Sequence, residues 1–148
     1  MKTLFIINPI SGKGSKDKLI SRLDEMGFEY VVTSRAGEGE ELARKATQDV
    51  VVAVGGDGTL NEVGRGILGT GKILGIVPCG SGDGLARFLN IPHDVVKAVE
   101  VISAGKTIPL DAGLINGHPF FSVCGVGFDA NVSKAFAEAG RRGVLTYV

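Results

Sequence analysis

A single carboxylate, Asp57, stands inside Gly55-Gly56-Asp57-Gly58-Thr59, directly after the β-branched run Val50 to Val54. Such a run suits a parallel-sheet strand covered on both faces, and open α/β sheets bind ligands at the carboxyl ends of their strands. Asp57 is therefore expected at the mouth of a crevice. A carboxylate there can hold Mg²⁺ or orient a hydroxyl nucleophile in phosphoryl transfer. The two glycines before it and the one after it read as room for a nucleotide to approach the backbone. Thr59 and Glu62 also fit a capping box, with Thr59 as N-cap and Glu62 reaching back. Capping accounts for those two residues but not for Asp57 and its glycines.

Two further loops have the same character. Asn8-Pro9-Ile10-Ser11-Gly12-Lys13-Gly14-Ser15 follows the apolar run Leu4 to Ile7. Its backbone N–H groups, Ser11 and Lys13, just ahead of a helix start, make an anion-binding arrangement. A plain turn with Ser15 as N-cap explains the loop equally well, and the spacing of a Walker A loop is absent. Gly80-Ser81-Gly82 ends a further apolar run, Lys72 to Val77. Three such loops on the carboxyl ends of successive strands would converge on one crevice. Gly64-Arg65-Gly66-Ile67-Leu68-Gly69 matches GxGxxG but ends a helical pattern instead of following a strand, so it is set aside. His93 and His118 have no partners at metal-ligand spacing and read as turn or surface residues. Arg141-Arg142 reads as a solvated pair, or as a phosphate clamp if it lies near the crevice.

The elements that must hold these loops alternate strand and helix. Leu19, Leu23 and Met26 recur at helical spacing before Gly27, and Phe28 to Thr33 reads as a second strand. Leu42, Ala43 and Ala46 share one face of a second helix, and Leu60, Val63 and Ile67 one face of a third. A short helix is expected through Leu85 to Leu89, and a last one opened by Pro92 with Val95, Val99 and Ile102 inward. This is the pattern of a parallel α/β sheet with right-handed crossovers. After Lys106 the pattern changes: Ile108, Leu110, Ala112 and Leu114 alternate with polar or breaking residues, then Asn116-Gly117 supplies a hairpin turn before Phe120 to Val123. The division is thus 1–105, an α/β domain, and 106–148, the first part of an antiparallel β domain. Ala130 to Glu138 reads as helical, and 143–148 as a strand-like run. A hairpin with one dangling strand is marginal alone, so the chain is expected to be the first part of a longer protein.

Composition excludes several classes. Sixteen basic residues balance sixteen acidic ones in 148 residues, without the basic footprint of a nucleic-acid binder. No apolar run approaches the roughly 20 residues needed to span a bilayer. Cys79 and Cys124 are isolated thiols, and no secretory h-region follows Met1, which also empties the Asn131-Val132-Ser133 triplet of meaning. A cytoplasmic setting is expected, with any membrane contact peripheral, at the inner face. Glycine is the oddity, 23 of 148 residues, about twice the ordinary share; the clustering of these glycines in loops suggests backbone packed against a ligand.

Taken together, the motifs resemble the diacylglycerol kinase catalytic domain family, which includes bacterial lipid kinases and sphingosine kinases. The resemblance rests on Asn8-Pro9 with Ser11-Gly12, on Gly55 to Thr59 with Asn61-Glu62-Val63, on Pro78 with Gly80-Ser81-Gly82 and Leu85-Ala86-Arg87, and on Gly127-Phe128-Asp129-Ala130. It implies an ATP- and Mg²⁺-dependent kinase acting on a lipid hydroxyl of diacylglycerol or sphingoid type at a membrane surface, with a homodimer left open. Asn8, Thr33, Gly58, Glu62 and Ser81 would line the ATP site, together with Ser11, Gly12, Gly55, Gly56, Thr59, Gly80 and Gly82. Asp57 would lie between the γ-phosphate and the acceptor, Asp111, in the first hairpin strand, would join it in a Mg²⁺ and water network, and Asp129 to Asn131 would face the lipid. The family's later β domain supplies another carboxylate, so a chain without it is expected to be inactive alone. The family's third motif commonly reads Gly-Thr-Gly-Asn-Asp, whereas this chain has Gly80-Ser81-Gly82-Asp83-Gly84. A carboxylate at 83 would repel phosphates unless it bound metal or pointed away. The competing readings are an NAD-kinase-like enzyme, which shares the Gly-Gly-Asp-Gly core, and an inactive nucleotide-binding fragment.

Overall fold

The protein is described from a computed structural model, covering residues 1–11, 14, 16–125, 127, 130, 131 and 134. Gly12, Lys13, Ser15, Asp129, Arg141, Arg142 and the 143–148 run lie outside the described residues, as does most of the expected helix from 130 to 138.

The chain runs β1 (Thr3–Ile7), α1 (Lys16–Glu25), β2 (Glu29–Val32), α2 (Glu38–Lys45), β3 (Val50–Gly55), α3 (Asp57–Ile67) and β4 (Ile73–Pro78). It continues through α4 (Gly84–Phe88), α5 (Val95–Ser103), β5 (Gly113–Ile115) and β6 (His118–Phe120). The first four strands form one sheet in the order β2-β1-β3-β4, every pair parallel. Chain direction across the sheet reverses between β1 and β3, which makes their carboxyl ends the topological switch point.

Alternation along β3 explains the two cores. Val50, Val52 and Val54 point to one face, where they join Phe5, Ile7, Leu19, Leu23 and Val99 under α1 and α5. Val51 and Ala53 point to the other, where they meet Ala43, Leu60, Val63, Ile67, Ile76 and Leu85 from α2, α3, β4 and α4. Every residue of β3 is buried, and each such valine contributes about 1.5–3 kcal/mol of apolar transfer. The helix ends follow local rules. Gly27 takes φ +66°, while Phe28 N–H bonds the Leu23 carbonyl at 2.9 Å and Gly27 N–H the Asp24 carbonyl at 3.1 Å, a Schellman closure. Phe28 then packs its ring 5.2 Å from that of Phe5.

Three sequence-based expectations are corrected. The last helix is capped by Asp94, whose carboxylate accepts the Val96 and Lys97 N–H groups at 3.0 and 3.1 Å; it starts at Val95, and Pro92 stands outside it. Residues 106–112 form no strand: β5 starts at Gly113, so Asp111 precedes the hairpin instead of lying in it. Pro109 has no N–H for a ladder, and Ile108 and Leu110 stay 66% and 47% exposed with no neighbouring strand among the described residues. The hairpin itself forms at Asn116-Gly117, both with positive φ, 49° and 78°, as a type I′ turn requires. Its second strand ends at Phe120, short of Val123.

The set-aside GxGxxG stretch serves packing. Gly66 lies in α3 where it crosses α2, and a Cβ there would stand 2.6 Å from both the Ala43 Cβ and the Glu40 carbonyl oxygen. Helix propensity alone favours alanine over glycine by about 1 kcal/mol. The backbone contact outweighs it, so we expect Gly66→Ala to destabilise the protein by about 1–3 kcal/mol. Urea denaturation showing Gly66→Ala as stable as the parent, or more so, would contradict this packing account.

Candidate functional site

The loops after β1, β3 and β4 meet at the carboxyl edge of the sheet. Asn8 anchors the first. Its Oδ1 accepts the Ile10 N–H at 3.0 Å, and its Nδ2 donates 3.1 Å across the switch point to Thr59 Oγ. Ser11 N–H closes the turn on the Asn8 carbonyl at 3.3 Å. Thr33, just past β2, is buried, with its N–H 2.9 Å from the Ile7 carbonyl. It extends the β1–β2 ladder.

Asp57 is the first residue of α3 and is exposed. Its Oδ1 accepts the Gly84 N–H at 3.0 Å, so the β3 loop and the β4 loop are tied through the carboxylate. The helix is not started by the expected capping box. Gly56 is the N-cap, and no side chain caps the first turn. Thr59 is spent on Asn8. Glu62 turns away to α2, where it accepts the Gly37 and Gly39 N–H groups at 2.9 and 3.2 Å. A carboxylate at the N-terminus of α2 satisfies donors that have no intrahelical partner and faces the positive end of that helix. No sequence spacing signals a bond between residues 25 positions apart.

The glycines divide into two groups. A Cβ on Gly55 would lie 2.3 Å from Thr59 Oγ, and one on Gly80 would lie 2.6 Å from the Gly56 Cα. Gly56 and Gly80 are therefore small because their loops touch each other, and Gly55 because the Thr59 side chain packs against it. Gly58 alone of the Asp57 loop has open space where a side chain would stand; Ser81 and Gly82 are exposed in the β4 loop, and a Cβ on Gly82 would stand 2.9 Å from Asp57 Oδ2.

Asp83 does not face the rim. It is 3% exposed and turned beneath its loop, with Oδ2 and Oδ1 accepting the Gly80 N–H at 2.9 and 3.1 Å. His93 Nδ1 lies 3.6 Å from Asp83 Oδ2, a partnership absent from the sequence reading of either residue. Burial raises the Asp83 pKa above the usual carboxylate range, and the neighbouring Asp57 charge adds to the rise, against His93 and the Gly80 N–H. Burial also pushes the Cys79 thiol up to about 11, with Asp83 contributing.

Asp111 is exposed and makes no hydrogen bond or ion pair with the Asp57 group among the described residues. No cluster of three acidic, histidine or cysteine side chains is assembled among them either. A cavity of about 650 Å³ lies along the outer edge of β4, lined by apolar side chains such as Ile67, Leu74, Leu89 and Ile102. None of Asn8, Asp57, Thr59 or Ser81 belongs to it.

A parallel sheet with its switch point between β1 and β3, and three tied loops at that point, defines a doubly wound α/β domain with its candidate site at the carboxyl edge. The chain belongs to the diacylglycerol kinase catalytic domain family, whose model matches residues 2–115. It is 34% identical over 134 residues to a diacylglycerol kinase of Bacillus subtilis, covering 82% of this chain and 44% of that protein. It is 33% identical over 139 residues to a diacylglycerol kinase of Staphylococcus carnosus, covering 86% of this chain and 45% of the relative. A putative diacylglycerol kinase from Bacillus anthracis has a similar structure, with TM-score 0.73, 26% identity, and coverage of 80% of this chain and 47% of that one. The chain thus spans a little under half the length of the relatives it matches.

Two measurements check the geometry. Glu62→Ala leaves two helix-end N–H groups without their charged acceptor and should lower stability by about 1–3 kcal/mol, read by urea unfolding; an unchanged midpoint would leave Glu62 without its structural role. Iodoacetamide at pH 8 should label Cys124, which is exposed, well before Cys79, whose labelling rate should climb only as pH approaches about 11. Mass spectrometry showing the opposite order would contradict the half-buried, high-pKa thiol.

Proposed function

We propose that this chain carries the ATP-binding part of a lipid kinase that transfers the γ-phosphate of ATP to a lipid hydroxyl of diacylglycerol or sphingoid type. Family membership supports the reaction class. The observation that carries the site is the joining of three loops at the switch point, through Asn8–Thr59 and Asp57–Gly84. In this reading the triphosphate lies over Gly58 and the exposed Ser81-Gly82 turn, where backbone can be approached and the α3 N-terminus favours negative charge. Asn8, Ser11, Thr33, Gly55, Gly56, Thr59 and Gly80 would shape that surface from beneath and behind; Glu62 would support it through the start of α2, and Gly12 is assigned to it from the sequence motif alone.

Asp57 sits at the tip of the rim with Oδ1 held by Gly84 N–H. Its second oxygen accepts a hydrogen bond from the acceptor hydroxyl, aligning that oxygen for in-line attack. Positioning accounts for most of the rate in such a reaction, because little covalent chemistry falls to the protein. Mg²⁺ takes one or two carboxylates together with phosphate oxygens and water instead of an all-protein cage, so the single outward carboxylate of Asp57 is compatible with it. Asp57 would hold it, with Asp111 as the second carboxylate, and the ion would neutralise phosphate charge. Asp83 is turned beneath its loop onto the Gly80 N–H, which keeps its carboxylate out of direct contact with phosphates placed over that loop.

The lipid would be presented at a membrane surface to a peripheral, cytoplasmic enzyme; no helix among the described residues is long and apolar enough to cross a bilayer. Division near Gly105 makes β5 and β6 the start of a second domain, and the other half of the relatives' length completes the catalytic site.

On this reading the 148-residue chain binds ATP with Mg²⁺ in a calorimetric titration and shows little or no turnover. A full-length form phosphorylates lipid vesicles, and Asp57→Asn lowers that turnover by about 100-fold or more while circular dichroism stays unchanged. Labelled phosphate appearing on NAD and on no lipid would overturn the assignment. Brisk turnover by the 148-residue chain alone would remove the need for the second half.

A further inference from the structure

Asp83 is an acid in the third loop for which the proposed reaction has no direct use, yet it is the most buried charged residue near the site. Its backbone is left-handed, φ 51° and ψ 46°, a conformation that short polar residues tolerate better than others but still disfavour. The ψ angle of residue 83 sets the plane of the 83–84 peptide, and that peptide carries the Gly84 N–H which Asp57 Oδ1 accepts at 3.0 Å. Whatever holds Asp83 in this conformation therefore aims the donor at Asp57.

Its side chain is the evident holder. Both Asp83 oxygens accept the Gly80 N–H, at 2.9 and 3.1 Å, which closes the loop on itself. His93, from the turn ahead of α5, braces the same carboxylate at 3.6 Å. On the other side of the loop Arg87 of α4 clamps the Gly82 carbonyl through Nε at 2.7 Å. The titratable and charged groups around the Asp83 carboxylate are thus Asp57 from α3, His93 from the pre-α5 turn and Arg87 from α4. Freed from Gly80 and His93, residue 83 relaxes towards the common right-handed region, the 83–84 peptide turns, and the Gly84 N–H leaves Asp57.

We propose that Asp83, braced by His93, is a positioning residue whose closure of the Gly80–Gly84 loop fixes the orientation of the Asp57 carboxylate. The functional weight of that orientation rests on the kinase reading of Asp57; the orientation itself does not.

Amide NMR of the 148-residue chain tests it without turnover. In Asp83→Ala the Gly84 amide resonance should move and its exchange with solvent should speed up by about tenfold or more, the loss of one charge-assisted hydrogen bond, while the Val52 and Val63 amides keep their protection. Asp83→Asn retains an acceptor for Gly80 and tolerates a left-handed backbone, so its Gly84 exchange should stay within about threefold of the parent. His93→Gln, at an exposed position that does not endanger the fold, should shift the same Gly84 resonance by a smaller amount. An unmoved Gly84 amide in Asp83→Ala would overturn the proposal. So would equal loss of protection in the core amides, which would make Asp83 a general stabiliser. A His93→Gln variant with no change at Gly84 would remove the brace. Failure of the parent chain to bind ATP would count against the kinase reading and leave the Gly84 result standing.

Discussion

Double burial of β3 is the constraint on which the rest depends. Its two edges pair in parallel with β1 and β4, and its side chains divide between two cores, so neither edge nor face is free. A register slip of one residue would exchange Val50, Val52 and Val54 for Val51 and Ala53 and ruin both cores at once. That rigidity decides where the strand releases the chain: at Gly55, beside the end of β1, with Asp57 two residues on. The carboxylate sits at the switch point because the strand beneath it has only one acceptable register.

From that fixed point the loops are tied by short contacts more than by bulk burial. Asn8 reaches Thr59, Asp57 takes the Gly84 N–H, and the Gly56 and Gly80 backbones touch. Glycine is needed at these contacts because a single Cβ would collide with backbone, which side-chain movement cannot relieve. Gly56 and Gly80 thus keep their loops against one another, while Gly58 in the Asp57 loop is left open to the outside.

Charge is sorted by the same arrangement. Three acids lie within a short stretch of structure, and each faces a different partner. Asp57 points outward on a backbone donor, Glu62 turns back to the start of α2, and Asp83 goes inward to Gly80 and His93. Spreading them limits mutual repulsion, although Asp83 still feels Asp57. One outward carboxylate is the arrangement that a surface for phosphate can tolerate.

The sequence by itself determined the parallel α/β architecture, the identity of the three loops and the place of Asp57. Periodicity, β-branched runs and turn residues act over a few positions and are written locally. It also marked Asp83 as out of pattern. Tertiary structure alone decided that Glu62 serves α2 and not its own helix, that Gly56 and Gly80 pack against each other's loops, and that Asp83 turns under to meet His93. It likewise left Asp111 ahead of β5. Those outcomes join residues far apart in the chain, and they depend on which loops the sheet order brings within a few ångströms of one another, a quantity that no local pattern of residue types contains.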